Sequence, residues 1–351
     1  MGMAVRCAAA ARLGALVLAL CAAALAGPAR PCAAQALVLE LPLACAMGPD
    51  CTVFQYFDQD PGLGRLDYAC GTRTYDGHTG TDLRARDLAH MRAGVPVLAA
   101  APGVVRAVRD HEPDVDARTL PPGALDGREA GNAVVLDHPG GWQTQYSHLR
   151  EGSVAVAPGQ AVRAGQALGL VGMSGAAAFP HLELIVRRDG APVDPFTGAG
   201  PGREPGQCAP GPGALWSPQA LAALAYRETD LLSAGFATAP PDKAALDAGP
   251  PPLGHLGPEA PALVFWARLA GVRTGDELAC EVRVPGGRTL ARKTQTLERD
   301  QNAYSVVIGG RLARGARWPA GEYRARLTLR RKAPGGGWRE VLAVERSLAS
   351  P

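Results

Sequence analysis

Three short segments of the chain carry residue types able to hold a cation. The first is His78-Thr79-Gly80-Thr81-Asp82. In an extended segment side chains alternate faces, so His78 and Asp82 point to one side, and Gly80 between them leaves that face open for a water or a substrate. Neutral imidazole and carboxylate oxygen are both ordinary zinc ligands. The second segment is Tyr146-Ser147-His148-Leu149, at the end of a β-type stretch. The third is Pro180-His181-Leu182-Glu183-Leu184, where His181 and Glu183 share one strand face and Leu182 and Leu184 the other. Each has a plainer reading as well: a hydrogen-bonded surface pair, a structural strand-end histidine, an amphipathic strand with a polar outer face.

Positioning these residues falls to repeated short β-type runs at 95–99, 103–108, 132–136, 143–146, 167–171 and 182–186, each bounded by Gly, Pro or Asp. They predict one antiparallel β domain over 73–200. Residues 110–131 have mixed charge, two adjacent prolines and no apolar period, which predicts an inserted surface loop. Ahead of the domain, residues 37–72 are broken by Pro42, Pro49 and Pro61-Gly62 and predict a strap with little regular structure. Behind it, 201–260 is a Gly- and Pro-rich linker. Within that linker Leu221, Leu224, Ala225, Leu231 and Leu232 are spaced for a short amphipathic helix over 218–234. Strand-like runs at 263–269, 277–284, 304–308, 323–329 and 340–344 then predict a small Ig-like β-sandwich over 261–351. Its Trp266, Trp318 and Trp338 suit core or edge packing more often than a binding face. The fold class is therefore mostly β, an antiparallel sheet domain followed by a C-terminal sandwich.

A chain of 351 residues accommodates two such units. Its net charge of +3, with both signs interspersed, gives no reason to expect nucleic acid as a partner. Arg6 and Arg12 flank the start of an acid-free apolar run, 13–26, and Ala34-Gln35-Ala36 follows, the order of a signal peptide cut near residue 36. The run is shorter than the roughly 20 residues that span a bilayer, so no transmembrane anchor is expected after cleavage. Export implies an oxidising compartment. Of the cysteines left, the close trio Cys45, Cys51 and Cys70 predicts one bridge, and the odd count, with Cys208 and Cys280, leaves one thiol over. No Cys-x-x-Cys pair supports a thiolate metal site.

Taken in order inside one β domain, the three segments resemble the M23 peptidases of the lysostaphin and LytM type, whose motifs are His-x-Gly-x-Asp, Tyr-x-His-Leu and Pro-His-x-His. The framing agrees at Val95-Pro96-Val97-Leu98-Ala99-Ala100-Ala101-Pro102-Gly103-Val104-Val105, at Gly131-Asn132-Ala133-Val134-Val135-Leu136-Asp137-His138, and over 156–175. The resemblance covers 72–196. It implies a LytM-like domain, a Zn2+ ion on His78 and Asp82, and His148 and His181 lining the catalytic water and the oxyanion. In the family a second histidine closes the last motif as a metal ligand, and here that position is Glu183. A glutamate can still bind zinc. Two carboxylates and one imidazole acidify a bound water less than one carboxylate and two imidazoles, which implies lower activity at neutral pH or a harder ion such as Mn2+. The implied function is an exported, periplasmic metalloendopeptidase that cuts peptidoglycan peptides. The competing reading is a degenerate relative that binds peptidoglycan, or regulates a cell-wall hydrolase, without cutting. The Gly-Gln spacing of 156–175 also resembles a lipoyl or biotinyl hammerhead, but the lysine that reading needs is absent between residues 72 and 196. The C-terminal sandwich could orient the protein on the wall or bind a protein partner.

Overall fold

The computed structural model describes residues 36–202, 206–250 and 252–351. The expected signal peptide, 1–36, lies outside them apart from its last residue. Residues 36–351 form one compact unit.

Period-two alternation builds the first sheet. Its strands run β1 (Cys51–Gln55), β2 (Thr81–Ala85), β3 (Pro96–Leu98), β4 (Gly103–Arg109), β5 (Asn132–His138), β6 (Trp142–Leu149), β7 (Ala161–Val162), β8 (Ala167–Leu170), β9 (His181–Arg188) and β10 (Ala191–Val193). The hydrogen-bonded order is β1-β2-β9-β6-β5-β4-β7, with β10 folded back on β9, while β3 and β8 form a separate pair. In β9, Leu182, Leu184 and Val186 are fully buried in the core, and His181, Glu183, Ile185 and Arg187 take the other face. Burying each of those three aliphatic chains is worth about 1.5–3 kcal/mol. A one-residue slip would turn all three outward, so the core fixes the register that the opposite face depends on.

The strap contains more structure than its sequence suggests. β1 lies inside it, pairs with β2 and closes one edge of the sheet. All five of its residues are buried, so both faces are covered and the alternation that marks a half-exposed strand is missing. Cys45 and Cys51 are bridged within the trio, whereas Cys70 reaches across 138 residues to Cys208. Cys280 is the free thiol, and it is buried.

The remaining elements are α1 (Leu88–Ala93), α2 (Pro218–Ala223), β11 (Asp230–Ala237), α3 (Lys243–Ala248), β12 (Ala262–Val272), β13 (Glu277–Arg283), β14 (Thr289–Thr296), β15 (Gln301–Arg311), β16 (Gly321–Lys332) and β17 (Trp338–Ser350). Two sheets, β11-β12-β15 and β14-β13-β16-β17, share one core that includes Phe265, Leu278, Val282, Tyr323 and Leu327. The helix expected over 218–234 stops after Ala223. Ser217 caps its start through the Ala220 N–H, but the polar run Arg227-Glu228-Thr229-Asp230 ends the apolar period. Leu231 and Leu232 belong instead to β11, where an irregular register opposite β12 lets adjacent leucines both find cover. Trp266 and Trp318 are packed, while Trp338 is 44 % exposed with Arg330 and Lys332 over its ring.

β11 and β12 also pack against the first sheet. Leu232 and Ala270 join Phe54 of β1, and Phe179 leans on the same cluster. Buried ionic groups tie the polypeptide together nearby. Arg331 donates to both oxygens of Asp276 at 2.8 Å, to Glu228 at 2.8 Å and to Thr229 at 3.0 Å.

Candidate metal centre

Strand pairing brings the candidate residues together. Asp82 of β2 stands opposite Glu183 of β9, Ser147 of β6 stands opposite Glu183 from the other side, and Arg84 faces His181. Directly opposed residues of an antiparallel pair share a face, so Asp82, His181 and Glu183 converge on the side away from the core.

His78 arrives differently from the sequence expectation. β2 begins only at Thr81, and His78 sits in the turn before it, its N–H donating to Tyr75 O and its C=O accepting from the Asp58 N–H. Gly80 also serves another purpose than leaving the face open for a ligand. A Cβ there would lie 2.7 Å from Glu183 Cγ and 3.0 Å from Oε1, so the missing side chain is the space Glu183 occupies.

His148 depends on a backbone irregularity. Between Asn132↔Leu149 and Val134↔Tyr146, β6 carries one residue more than β5, and His148 has φ 62°. That is a β-bulge with a non-glycine residue in the left-handed region, a conformation tolerated where surrounding structure enforces it. The bulge breaks the alternation, so Ser147 stays opposite Glu183 while His148 next to it also reaches the centre.

The resulting geometry is compact. His78 Nε2 lies 3.3 Å from Asp82 Oδ1 and 3.6 Å from Glu183 Oε1, His148 Nε2 lies 3.6 Å from Glu183 Oε2, and His181 Nε2 lies 3.8 Å from Asp82 Oδ1. All three Nδ1 atoms are engaged by backbone carbonyls: His78 with Tyr56 at 2.7 Å, His148 with Ser174 at 2.8 Å and His181 with Phe179 at 2.9 Å. A proton on Nδ1 satisfies each carbonyl and leaves the Nε2 lone pair turned inward, the arrangement that orients histidine ligands in metal sites. His78 Nε2 is buried and has no aligned hydrogen-bond partner among the described residues, with carboxylate oxygens of Asp82 and Glu183 at 3.3 and 3.6 Å.

One ligand atom from each of His78, Asp82 and Glu183 can be chosen with all three within 4.8 Å of one another. Tetrahedral ligands about 2.1 Å from a zinc ion are separated by roughly 3.4 Å, close to the 3.3 and 3.6 Å spacings from His78. The donor set and the partnerless nitrogen therefore fit a divalent cation.

Electrostatics agree with a site built for positive charge. Burial alone would lower the His78 pKa, but Asp82 first and then Glu183 outweigh it and push it up to about 10. Burial also works to raise the Asp82 carboxyl, yet the facing imidazoles of His78 and His181 hold it below its ordinary value. For His181 burial dominates, helped by His148, and its pKa falls to about 4.

Around the centre stand residues that the sequence did not single out. The Tyr75 ring, 46 % exposed, stacks on His78 with centroids 4.4 Å apart. His148, His181 and Phe179 form a column with successive centroids 4.6 Å apart, and the buried Arg84 guanidinium sits over both Phe179 and Phe54. Burial, reinforced by the charge of Arg268, lowers the Arg84 pKa to about 9. Phe179 next to Pro180-His181 was the one signal in the sequence for this column. The other histidines keep ordinary roles: His138 bridges Pro102 O and Thr144 Oγ1, and His90 lies in α1.

Residues 76–195 match the profile of Peptidase family M23. The chain carries an M23 peptidase domain. It is 37 % identical over 119 residues to "Peptidoglycan DD-endopeptidase ShyA" of Vibrio cholerae serotype O1, a match covering 33 % of this chain and 22 % of that protein. It is 34 % identical over 126 residues to "DD-carboxypeptidase/endopeptidase Mpg" of Neisseria meningitidis serogroup B, covering 35 % and 23 %. The matched segment thus spans under a quarter of the length of these curated relatives. Among solved structures, "a zinc containing peptidase from vibrio cholerae" is 28 % identical with a TM-score of 0.27, covering 40 % of this chain and 39 % of that one. The M23 match holds all five site positions, His78, Asp82, His148, His181 and Glu183, and it ends at the β10 hairpin.

Proposed function

We propose that the chain is an exported, periplasmic endopeptidase that hydrolyses peptide bonds of peptidoglycan cross-links, with His78, Asp82 and Glu183 as ligands to a divalent ion, Zn2+ in the first instance. The observation that carries this reading is the His78 imidazole, fixed at Nδ1 and turning a buried, partnerless Nε2 toward two carboxylates. The names of the M23 relatives support the substrate class. When bound, the ion supplies Lewis acidity toward a carbonyl and lowers the pKa of a water. His148 and His181 stand beside the ligands with ring centroids 4.6 Å apart. One is placed to take the proton of the attacking water and pass it to the leaving amine, and the other to donate to the scissile oxygen as negative charge builds there. With two carboxylates among the ligands, the expected activity at neutral pH is modest, and Mn2+ is a plausible substitute. The division into strap, peptidase domain, linker and sandwich belongs to the same proposal, with β11 assigned to the sandwich.

A second reading, a non-cutting M23 protein that binds peptidoglycan or regulates a hydrolase, draws on Glu183 itself. Its two oxygens approach His78 and His148 at 3.6 Å each, so the acid can bridge the imidazoles without an ion. Metal analysis and peptidoglycan digestion on the mature protein separate the two. The enzyme reading expects about one divalent ion per chain and release of cross-link fragments. It also expects His148→Ala and His181→Ala each to lower turnover about 10²- to 10⁴-fold with metal content retained. No bound metal together with no cleavage by wild type sinks the enzyme reading. A gain of cleavage only in Glu183→His identifies the glutamate as a damaged ligand.

A further inference from the structure

The face that holds the metal centre continues along β9 and β6. Past Glu183 it carries Ile185 and Arg187, with Gln145 opposite Ile185 and Gln143 opposite Arg187. Arg187 is half-buried, and among the described residues no carboxylate lies within ion-pair distance of it. Its Nη1 donates to Gln145 Oε1 at 3.0 Å, and Gln145 Nε2 donates onward to Ser147 Oγ at 2.9 Å. These two bonds orient the amide, oxygen to the guanidinium and nitrogen to the serine. Because Gln145 stands opposite Ile185, the guanidinium is drawn back from its own strand position. Its head lies about two strand residues, roughly 7 Å, from the level of Glu183. Among the described residues the bond to Gln145 is the hydrogen bond the guanidinium makes.

A cation held this way costs desolvation and side-chain freedom; Glu183 acts on it from beyond ion-pair range, and burial still outweighs that charge and lowers the Arg187 pKa. Asp82 and Glu183 lie further along the same face, and their charges would repel an anionic substrate. Planar guanidinium donates paired N–H bonds to a carboxylate, a bidentate match that lysine or an amide cannot reproduce. We propose that Arg187, braced by Gln145, forms a subsite for a free carboxylate of the bound peptide, about two residues along an extended chain from the bond to be cut. This rests on the peptidase reading above and deepens it by naming the substrate class: a peptide with an anionic group at that distance, in preference to one that is amidated there.

The test uses two synthetic cross-link peptides, identical except for a carboxylate or a carboxamide two residues from the scissile bond. Both are given to the full mature protein and to Arg187→Gln and Arg187→Lys. Wild type is expected to favour the carboxylate peptide by about tenfold or more, the size of a charge-assisted hydrogen bond, through KM and not kcat. Arg187→Gln should lose the preference while keeping kcat on the amidated peptide, and Arg187→Lys should recover part of it. Equal treatment of the two peptides by wild type overturns the subsite, as does an equal loss of kcat on both in Arg187→Gln with unchanged KM. Should wild type cut neither peptide, the peptidase reading fails on its own, and equilibrium binding of the same pair decides the subsite. A carboxylate preference removed by Arg187→Gln upholds it, and its absence overturns it.

Discussion

Gly80→Ala adds one methyl group and replaces no candidate ligand, yet it should loosen the candidate metal centre. The new Cβ would sit 2.7 Å from Glu183 Cγ and 3.0 Å from its Oε1. An ordinary carbon–carbon contact is about 3.5–4.0 Å, so the Glu183 side chain must retreat by roughly an ångström. That is enough to take Oε1 out of the 3.6 Å approach to His78 and away from a shared ion. Displacements of this order at supporting residues lower metal affinity about 10- to 100-fold. Gly80 is not in the left-handed region, so the backbone itself accepts alanine there. Competition against a chromophoric chelator measures the affinity, and a thermal melt of the metal-free protein reports whether the fold was disturbed. A double-mutant cycle isolates the cause: in a Glu183→Ala background, Gly80→Ala should have no further effect on affinity, because the group it displaces is gone. Wild-type affinity in the single variant would refute the claim that Glu183 is a ligand, and so would an undiminished effect in the double variant.

Two further predictions concern the rest of the molecule. Arg331→Met should destabilise by about 3–5 kcal/mol, since it leaves the fully buried Asp276 without its cation, while Glu228 keeps Arg339; denaturant unfolding monitored by tryptophan fluorescence measures it, and a change below about 1 kcal/mol contradicts it. Glu281 is held down to about 2, first by the Thr289 hydroxyl and, against the opposing effect of burial, by Arg292 and Arg283 as well. A depressed carboxyl pKa contributes stability above its ordinary value near 4.5 and loses it as pH falls toward 2. The melting temperature of Glu281→Gln should therefore fall less steeply than that of wild type between pH 4.5 and 2, and parallel curves would contradict the assignment.

Much of the sheet was legible because its strands are buried on one face only. His181–Arg188 alternates apolar and polar residues, and the structure gives it that face and that pairing. β1 was not legible, since Cys51–Gln55 is covered on both sides and flanked by prolines. Leu231 and Leu232 suggested a helix because adjacent apolar residues fit a helical stripe as well as they fit an irregular strand. For the site, residue types and order pointed to His78, Asp82, His148, His181 and Glu183, and these five do converge. The way they converge was hidden. Nothing in Tyr146-Ser147-His148-Leu149 announces a positive φ at a histidine, and the use of Gly80 as space for Glu183 depends on a strand more than a hundred residues away. The Arg187–Gln145–Ser147 chain likewise joins two strands distant in sequence.

The contact of Leu232 and Ala270 with Phe54 and Phe179 bears on how this protein can be dissected. Phe179 lies against His181 on one side and under the Arg84 guanidinium on the other. Trimming the chain back to the segment that matches its relatives would bare that aromatic wall to water and strip Arg84 of its enclosure. A fragment that keeps the packing behind His181 is thus larger than the homologous segment, because the second half of the chain supplies part of the backing against which that imidazole rests.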